Sequence, residues 1–93
     1  MIARDARPRL ASKARLRFDR HEGQHMLIYP EKGMALNATA AAVAELCTGE
    51  HSVEQIVEQL AARHAATPRE RVEHDVLAFL EQLAVRGLLR ESP

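Results

Sequence analysis

The chain has 93 residues, of which 46% are hydrophobic, but only 3% are aromatic and none is tryptophan. This length suits one domain, whose modest core must be built mainly from alanine, leucine and valine. The 13 basic and 13 acidic side chains give a formal net charge of zero, which argues against a general affinity of the whole chain for nucleic acid.

A basic segment precedes the first regular pattern. Residues 1–20 carry seven basic and two acidic side chains, so this part has a net charge of +5 and the remainder has −5. Pro8 interrupts a stretch with little periodicity. We therefore predict a flexible basic arm over residues 1–12 and a single domain over residues 13–93. The arm is either a solvated tail or a contact for an acidic partner.

Three short strands are predicted next. Ala14, Leu16 and Phe18 alternate with charged residues, which is typical of a strand with one buried face. A turn leads to a second strand from Gln24 to Tyr29, and another turn leads to a short third strand from Met34 to Leu36. Tight turns between three strands predict an antiparallel meander.

The hydrophobic period changes at Asn37, which can cap a first helix that runs to about Thr48. Ser52 then opens a second helix, and Gln55 completes a capping box three residues later. The core faces are predicted to hold Val43, Leu46 and Cys47 in the first helix, and Val53, Ile56, Val57, Leu60 and Ala61 in the second.

The longest helix is predicted between Thr67 and Leu89. Thr67 is placed as its N-cap, with Pro68 at the first helical position and Glu70 completing a capping box. Gly87 is placed to end it in a left-handed conformation. Its core face is predicted to hold Val72, Val76, Phe79, Leu80 and Leu83. Three strands followed by three closely linked helices predict an α+β, winged-helix-like fold.

The residues offer little for catalysis. Cys47, the single cysteine, falls on an apolar helix face, where a buried structural thiol is expected. The five histidines lack metal-ligand spacing, and there is no glycine-rich phosphate loop. We therefore predict a protein that is not an enzyme and that has no metal or cofactor. One free cysteine, no secretory signal and no apolar run of membrane-spanning length predict a cytoplasmic protein without membrane contact.

Two kinds of binding surface remain. A helix-turn-helix arrangement is typical of DNA-binding regulators, but the exposed residues of the second and third predicted helices are mixed to acidic and would repel phosphate. The third strand ends the meander without a charge or a proline in Met34 to Leu36. Its edge suits the capture of an extended peptide by strand addition. The alternatives are that this edge pairs with the N-terminal arm or with a second copy of the chain.

Four stretches of the chain, in order and spacing, resemble the PqqD family of pyrroloquinoline quinone (PQQ) biosynthesis. They are PRL at 8–10, LIYPEKGMALN at 27–37, ELCTGEHSVEQIVEQL at 45–60 and DVLAFLEQLAVRGLL at 75–89. The resemblance implies a three-strand, three-helix winged-helix fold with no catalysis of its own. It also implies a peptide chaperone that binds the precursor peptide PqqA and presents it to the radical SAM enzyme PqqE.

In related recognition domains the leader peptide adds as a strand to the third strand and lies against the third helix. The resemblance therefore implies a peptide site at Met34, Ala35, Leu36, Arg71, Val72, Asp75, Val76 and Phe79. Arg71 could pair with an acidic peptide side chain, whereas Val72, Val76 and Phe79 could equally be core residues. The alternatives are a DNA-binding winged-helix regulator and a structural homodimer that assembles through strand edges. The sequence leaves open whether the protein is a monomer or a homodimer.

Overall fold

The computed structural model describes residues 2–30 and 32–92 and contains five strands and three helices in that part of the chain. The predicted order of a three-stranded meander followed by three helices is confirmed. Two further short strands, one at each end of the chain, form a second sheet that the pattern did not predict. The elements are β1 (Arg7–Leu10), β2 (Arg15–Asp19), β3 (Gln24–Tyr29), β4 (Lys32–Leu36), α1 (Ala38–Leu46), α2 (Val53–Arg63), α3 (Arg69–Val85) and β5 (Leu89–Ser92).

The larger sheet has the order β2-β3-β4, and both of its strand pairs are antiparallel. Leu16 and Met34 lie opposite Leu27, so these three side chains share the inner face, which α1 covers. Neighbouring positions point the other way, because side chains alternate along a strand. Sixteen hydrophobic residues form the main core, and they come from β3, β4, the three helices, Cys47 and Leu88.

Phe18 departs from the predicted pattern. It was expected to face the core with Ala14 and Leu16, but its side chain is 54% exposed. Phe18 pairs with His25 near the turn between β2 and β3, and the two rings meet edge-to-face with centroids 4.9 Å apart. The Phe18 side chain therefore points to the same face as Leu16, as predicted, but the core does not extend as far as the Phe18–His25 pair.

The predicted caps of the first two helices are confirmed. The Asn37 side chain accepts a hydrogen bond from the Ala40 N–H at 2.8 Å. Ser52 and Gln55 exchange the two hydrogen bonds of a capping box, at 3.1 and 2.8 Å. Helix α1 ends at Leu46, two residues earlier than predicted.

For the third helix, the predicted N-cap was wrong, whereas the predicted stop at Gly87 is confirmed. Pro68 has extended backbone angles and is itself the N-cap, so Thr67 forms no capping box with Glu70. The Pro68 carbonyl accepts hydrogen bonds from the N–H groups of the first turn instead. At the other end, Gly87 has a φ of 71°, and the Leu88 N–H donates to the Leu83 carbonyl at 2.9 Å.

This difference between the two helix starts predicts unequal effects of the same substitution. Ser52→Ala should lower the free energy of unfolding by about 1 kcal/mol, because it removes a side-chain cap. Thr67→Ala should change it by less than about 0.5 kcal/mol, because no cap is lost there. Urea denaturation of both variants measures the difference, and equal losses would contradict the assigned caps.

The first 12 residues differ most from the prediction. In place of a flexible arm, Arg7–Leu10 forms a strand that pairs antiparallel with Leu89–Ser92. Pro8 is fully buried and Ala11 is 5% exposed. The N-terminal segment therefore belongs to the folded body, and it pairs with the end of the chain rather than with the edge of β4.

The physical reason is that this segment satisfies backbone groups that would otherwise lack partners. The N–H groups of Val53 and Glu54, in the first turn of α2, donate to the carbonyls of Ala6 and Arg4 at 2.9 and 3.0 Å. A helix start leaves such N–H groups without intrahelical partners. Arg4 also forms ion pairs with Glu54 and with Glu73 on α3. The segment thus ties the two helices together.

Candidate functional site

A groove of about 450 Å³ lies between the open edge of the larger sheet and helix α3, with α1 as its floor. Among the described strands, β3 alone pairs with β4, so the other edge of β4 is open. The lining residues are Met34, Ala35, Leu36 and Asn37 from the strand side, Thr39, Ala40 and Val43 from α1, and Arg71, Asp75, Ala78, Phe79 and Gln82 from α3.

The strand wall presents free backbone groups. Tyr29 and Lys32 are the pair that closes the β3–β4 hairpin, with two residues between them. A pair in this position exchanges both backbone hydrogen bonds, and hydrogen-bonded pairs alternate with non-bonded pairs along the ladder. Met34 therefore directs its N–H and C=O to β3, whereas Gly33 and Ala35 direct theirs to the open edge.

The strand is also longer than predicted. It begins at Lys32 rather than Met34, which places one positive charge at the end of an edge otherwise free of charge and proline. Such charges commonly limit the pairing of an edge strand with other chains. Here the charge stands at one end, so the edge at Gly33 and Ala35 stays accessible.

The helix wall carries a polar strip above an apolar base. Arg71, Asp75, Ala78 and Gln82 recur at steps of three and four, which puts them on one face of α3. The Arg71 Nε lies 3.4 Å from the Asp75 carboxylate, and the Arg71 side chain is 70% exposed. Phe79 is 8% exposed and forms the apolar base.

Six of the eight residues predicted for the site line this groove, namely Met34, Ala35, Leu36, Arg71, Asp75 and Phe79. Val72 and Val76 do not, because they face the helices and are 4% and 0% exposed. The prediction missed Ala78 and Gln82, which continue the spacing that starts at Arg71 and Asp75. It also missed Asn37 and the α1 residues, for which the sequence carried no local signal.

The described residues show no arrangement suited to catalysis or metal binding. Burial raises the pKa of the Cys47 thiol to about 12, so the unreactive neutral form dominates at neutral pH. No three histidine, cysteine or carboxylate side chains of the described residues are grouped to hold a metal ion. Among the helices in residues 2–30 and 32–92, none has the length and apolarity needed to cross a membrane.

The helices also lack the charge of a DNA-reading surface. The exposed sides of α2 and α3 carry a network in which Arg69 contacts Glu54 and Glu58, at 3.0 and 2.7 Å. Glu73 pairs with Arg4. These arginines are occupied by carboxylates, and an acidic surface repels the phosphate backbone.

An open sheet edge beside a helix and an apolar groove, without catalytic or metal-ligating clusters in the described part of the chain, characterises a small peptide-recognition domain. Comparison with known families agrees with this class. Residues 24–89 match the family described as Coenzyme PQQ synthesis protein D (PqqD). The chain belongs to the PqqD family, whose members are non-catalytic peptide-binding proteins.

Relatives match over nearly the full length. The chain is 38% identical over 91 residues to the PqqA binding protein of Bradyrhizobium diazoefficiens, covering 98% of this chain and 87% of the relative. It is 37% identical over 89 residues to the PqqA binding protein of Xanthomonas axonopodis pv. citri, covering 96% of each.

Two solved structures share the fold. One is the solution NMR structure of the PqqD truncation of Methylobacterium extorquens PqqCD, described as a functional, stand-alone RiPP recognition element. It matches with a TM-score of 0.79 and 33% identity over 97% of this chain and 95% of that one. The crystal structure of PqqD from Xanthomonas campestris matches with a TM-score of 0.59 and 34% identity, over 97% and 99% of the two chains. The predicted fold and family are confirmed.

Proposed function

We propose that this protein is a non-enzymatic peptide chaperone of PQQ biosynthesis that binds the precursor peptide PqqA and presents it to the radical SAM enzyme PqqE. The observation that carries the proposal is the open edge of β4 beside the groove along α3. Relatives named PqqA binding protein and a structural neighbour described as a RiPP recognition element support the choice of ligand. The free thiol of Cys47 suits the reducing cytoplasm as the place of action.

In the proposed complex the peptide forms a fourth strand along β4. The free backbone groups of Gly33 and Ala35 supply hydrogen bonds that do not depend on the peptide sequence. Alternate side chains of the peptide would enter the groove, where Phe79 and Leu36 provide apolar surface. This arrangement gives affinity through the backbone and specificity through the pockets.

The polar strip on α3 would select among peptides. Arg71 and Asp75 form an exposed ion pair, which contributes little to stability and is readily exchanged. Arg71 can turn from Asp75 to an acidic side chain of the peptide, while Gln82 can donate or accept hydrogen bonds at the other end of the groove. Val72 and Val76 hold α3 in place from the core side.

Titration of the labelled protein with PqqA, followed by NMR, tests this proposal. The backbone amides of Gly33 to Leu36 and of the Arg71 to Gln82 face of α3 should shift most, because strand addition changes their hydrogen bonding and surroundings. Micromolar or tighter binding is expected. As a control, the amides of the β2–β3 turn, on the far side of the sheet, should shift least. Unchanged amides across Gly33 to Leu36 at saturating PqqA would contradict the proposed site.

A further inference from the structure

We propose that the outer face of the β2-β3-β4 sheet is a second interaction surface, which docks an acidic and partly apolar surface of the enzyme that acts on the bound peptide. This inference rests on the proposed function, because the bound peptide would extend the same face. It assigns a role to basic residues that the peptide groove does not use.

The register places apolar and basic side chains together on this face. Arg15 lies opposite Ile28, and Arg17 lies opposite Met26. On the other side of β3, Met26 lies opposite Ala35 and Ile28 opposite Gly33. Directly opposed residues of an antiparallel pair point to the same face of the sheet. The face therefore consists of an apolar strip on β3, two arginines on β2 and two very small residues on β4.

No described helix covers this face. Ile28 is 41% exposed, and it is one of three large hydrophobic residues in the described chain that are exposed to this degree. Arg15, Arg17 and Ala35 are exposed and Met26 is half-buried. The apolar strip of Met26 and Ile28 is therefore in contact with water. Exposed apolar side chains that lie together are common at interaction sites.

The two arginines of this face are also available to pair with a partner. Neither Arg15 nor Arg17 forms an ion pair within the part of the chain that the structure describes. Asp19 follows them on β2, but its carboxylate accepts hydrogen bonds from the N–H groups of His21 and Glu22 in the turn, at 2.9 and 3.3 Å. On the helical side of the molecule, by contrast, Arg4 and Arg69 are paired with glutamates and Arg71 with Asp75. The charge of this face thus selects an acidic partner.

Peptide binding would complete the face. A peptide strand added to β4 would lie roughly 10 Å from β3, which is two strand spacings, and every second peptide side chain would point to the outer side. Gly33 and Ala35 leave no large side chain between the apolar strip and the peptide; the Met26 methyl carbon already lies 3.4 Å from where a Cβ at Gly33 would be. A single enzyme surface can therefore contact the strip and the peptide together.

This arrangement gives the enzyme a way to distinguish the loaded protein from the free one. The affinity of PqqE for the protein should rise when PqqA is bound, because only the loaded sheet presents the complete surface. A second copy of this chain is the competing occupant, since α2 and α3 also expose carboxylates.

The test measures two affinities in parallel, that of the protein for PqqA and that of the PqqA-loaded protein for PqqE. The Arg15→Glu/Arg17→Glu variant should weaken PqqE binding by at least about tenfold and leave PqqA binding within about twofold of the wild type. Ile28→Thr keeps a β-branched residue in the strand and should weaken PqqE binding several-fold through lost apolar contact. If the double variant does not fold, the Ile28→Thr variant alone tests whether PqqE docks on the outer face.

The matched control is Arg63→Glu/Arg90→Glu, which makes the same charge change on exposed residues outside both the groove and the outer face. Equal loss of PqqE binding in both double variants would overturn the inference, as would unchanged PqqE binding in the first. Loss of self-association in light scattering, with PqqE binding retained, would assign the face to a second copy and also overturn it. Failure of the wild type to bind PqqA would instead overturn the proposed function.

Discussion

A chain that begins at Lys13 should lose at least about 4 kcal/mol of its free energy of unfolding, which is a large share of the 5–15 kcal/mol typical of a domain. Removing residues 1–12 breaks six backbone hydrogen bonds to the rest of the protein, in addition to the β1–β5 ladder. It leaves the N–H groups of Val53 and Glu54 without their partners. It also uncovers the surface that buried Pro8 and Ala11 protect.

Urea denaturation followed by circular dichroism measures this effect. The truncated chain should be largely unfolded or unfold at a much lower urea concentration than the full chain. Arg4→Ala is the matched control, because it removes the ion pairs to Glu54 and Glu73 and keeps the backbone bonds. It should have only a small effect, since exposed ion pairs contribute little. If the truncated chain has the same urea midpoint as the full chain, residues 1–12 contribute nothing to stability, as expected of a flexible arm.

The ion pairs of Arg4 do predict a modest dependence on pH. The Arg4 guanidinium beside Glu73 holds the pKa of that carboxyl below its usual range. A carboxyl whose pKa is lower in the folded protein stabilises the fold above its unfolded-state pKa, and this stabilisation is lost as the pH falls through the folded-state value. In acid, therefore, the N-terminal segment loses part of its attachment to α3.

The prediction of a flexible arm was wrong because its signals are not local. β1 and β5 are four residues each and lie at opposite ends of the chain. β5 does not alternate between apolar and polar residues, and in β1 the alternation of two arginines with Pro8 and Leu10 covers too few positions to predict a strand. Charge and proline content predicted a tail, whereas tertiary pairing made Arg7–Leu10 a strand. By contrast, the capping box of Ser52 and Gln55 and the helix stop at Gly87 depend only on residues close in sequence. The structure confirms both.

The site could be predicted in part for a similar reason. Met34 to Leu36 end a meander, so strand order predicts a sheet edge there, but it left open whether the N-terminal arm or a second copy of the chain covers that edge. The family resemblance implied that the third helix lies beside that edge, and the helical spacing put Arg71 and Asp75 on one flank. Neither could separate these two from Val72 and Val76, whose side chains face the other helices. Thr39, Ala40 and Val43 reach the groove only because α1 packs under the sheet, and no pattern within α1 indicates that packing.

Ala35→Pro should reduce the affinity for PqqA by at least about tenfold while the fold is retained. The N–H of Ala35 points to the open edge, so a proline there removes one backbone donor to the proposed peptide strand and keeps the β3–β4 ladder intact. Its ring also occupies the space in which the peptide backbone would pair. Edge strands tolerate proline when the lost N–H faces solvent, so the urea midpoint should move little. Isothermal titration calorimetry with PqqA measures the change.

Ala35→Thr separates the backbone effect from the side-chain effect. Threonine keeps the N–H, favours strand geometry and points to the outer face, opposite Met26, rather than across the edge. Its affinity for PqqA should stay close to that of the wild type. If both variants bind PqqA normally, the peptide does not pair with β4, and recognition must depend on the helix side of the groove alone. If both lose binding equally, the side chain matters and not the N–H, and strand addition is the wrong mechanism.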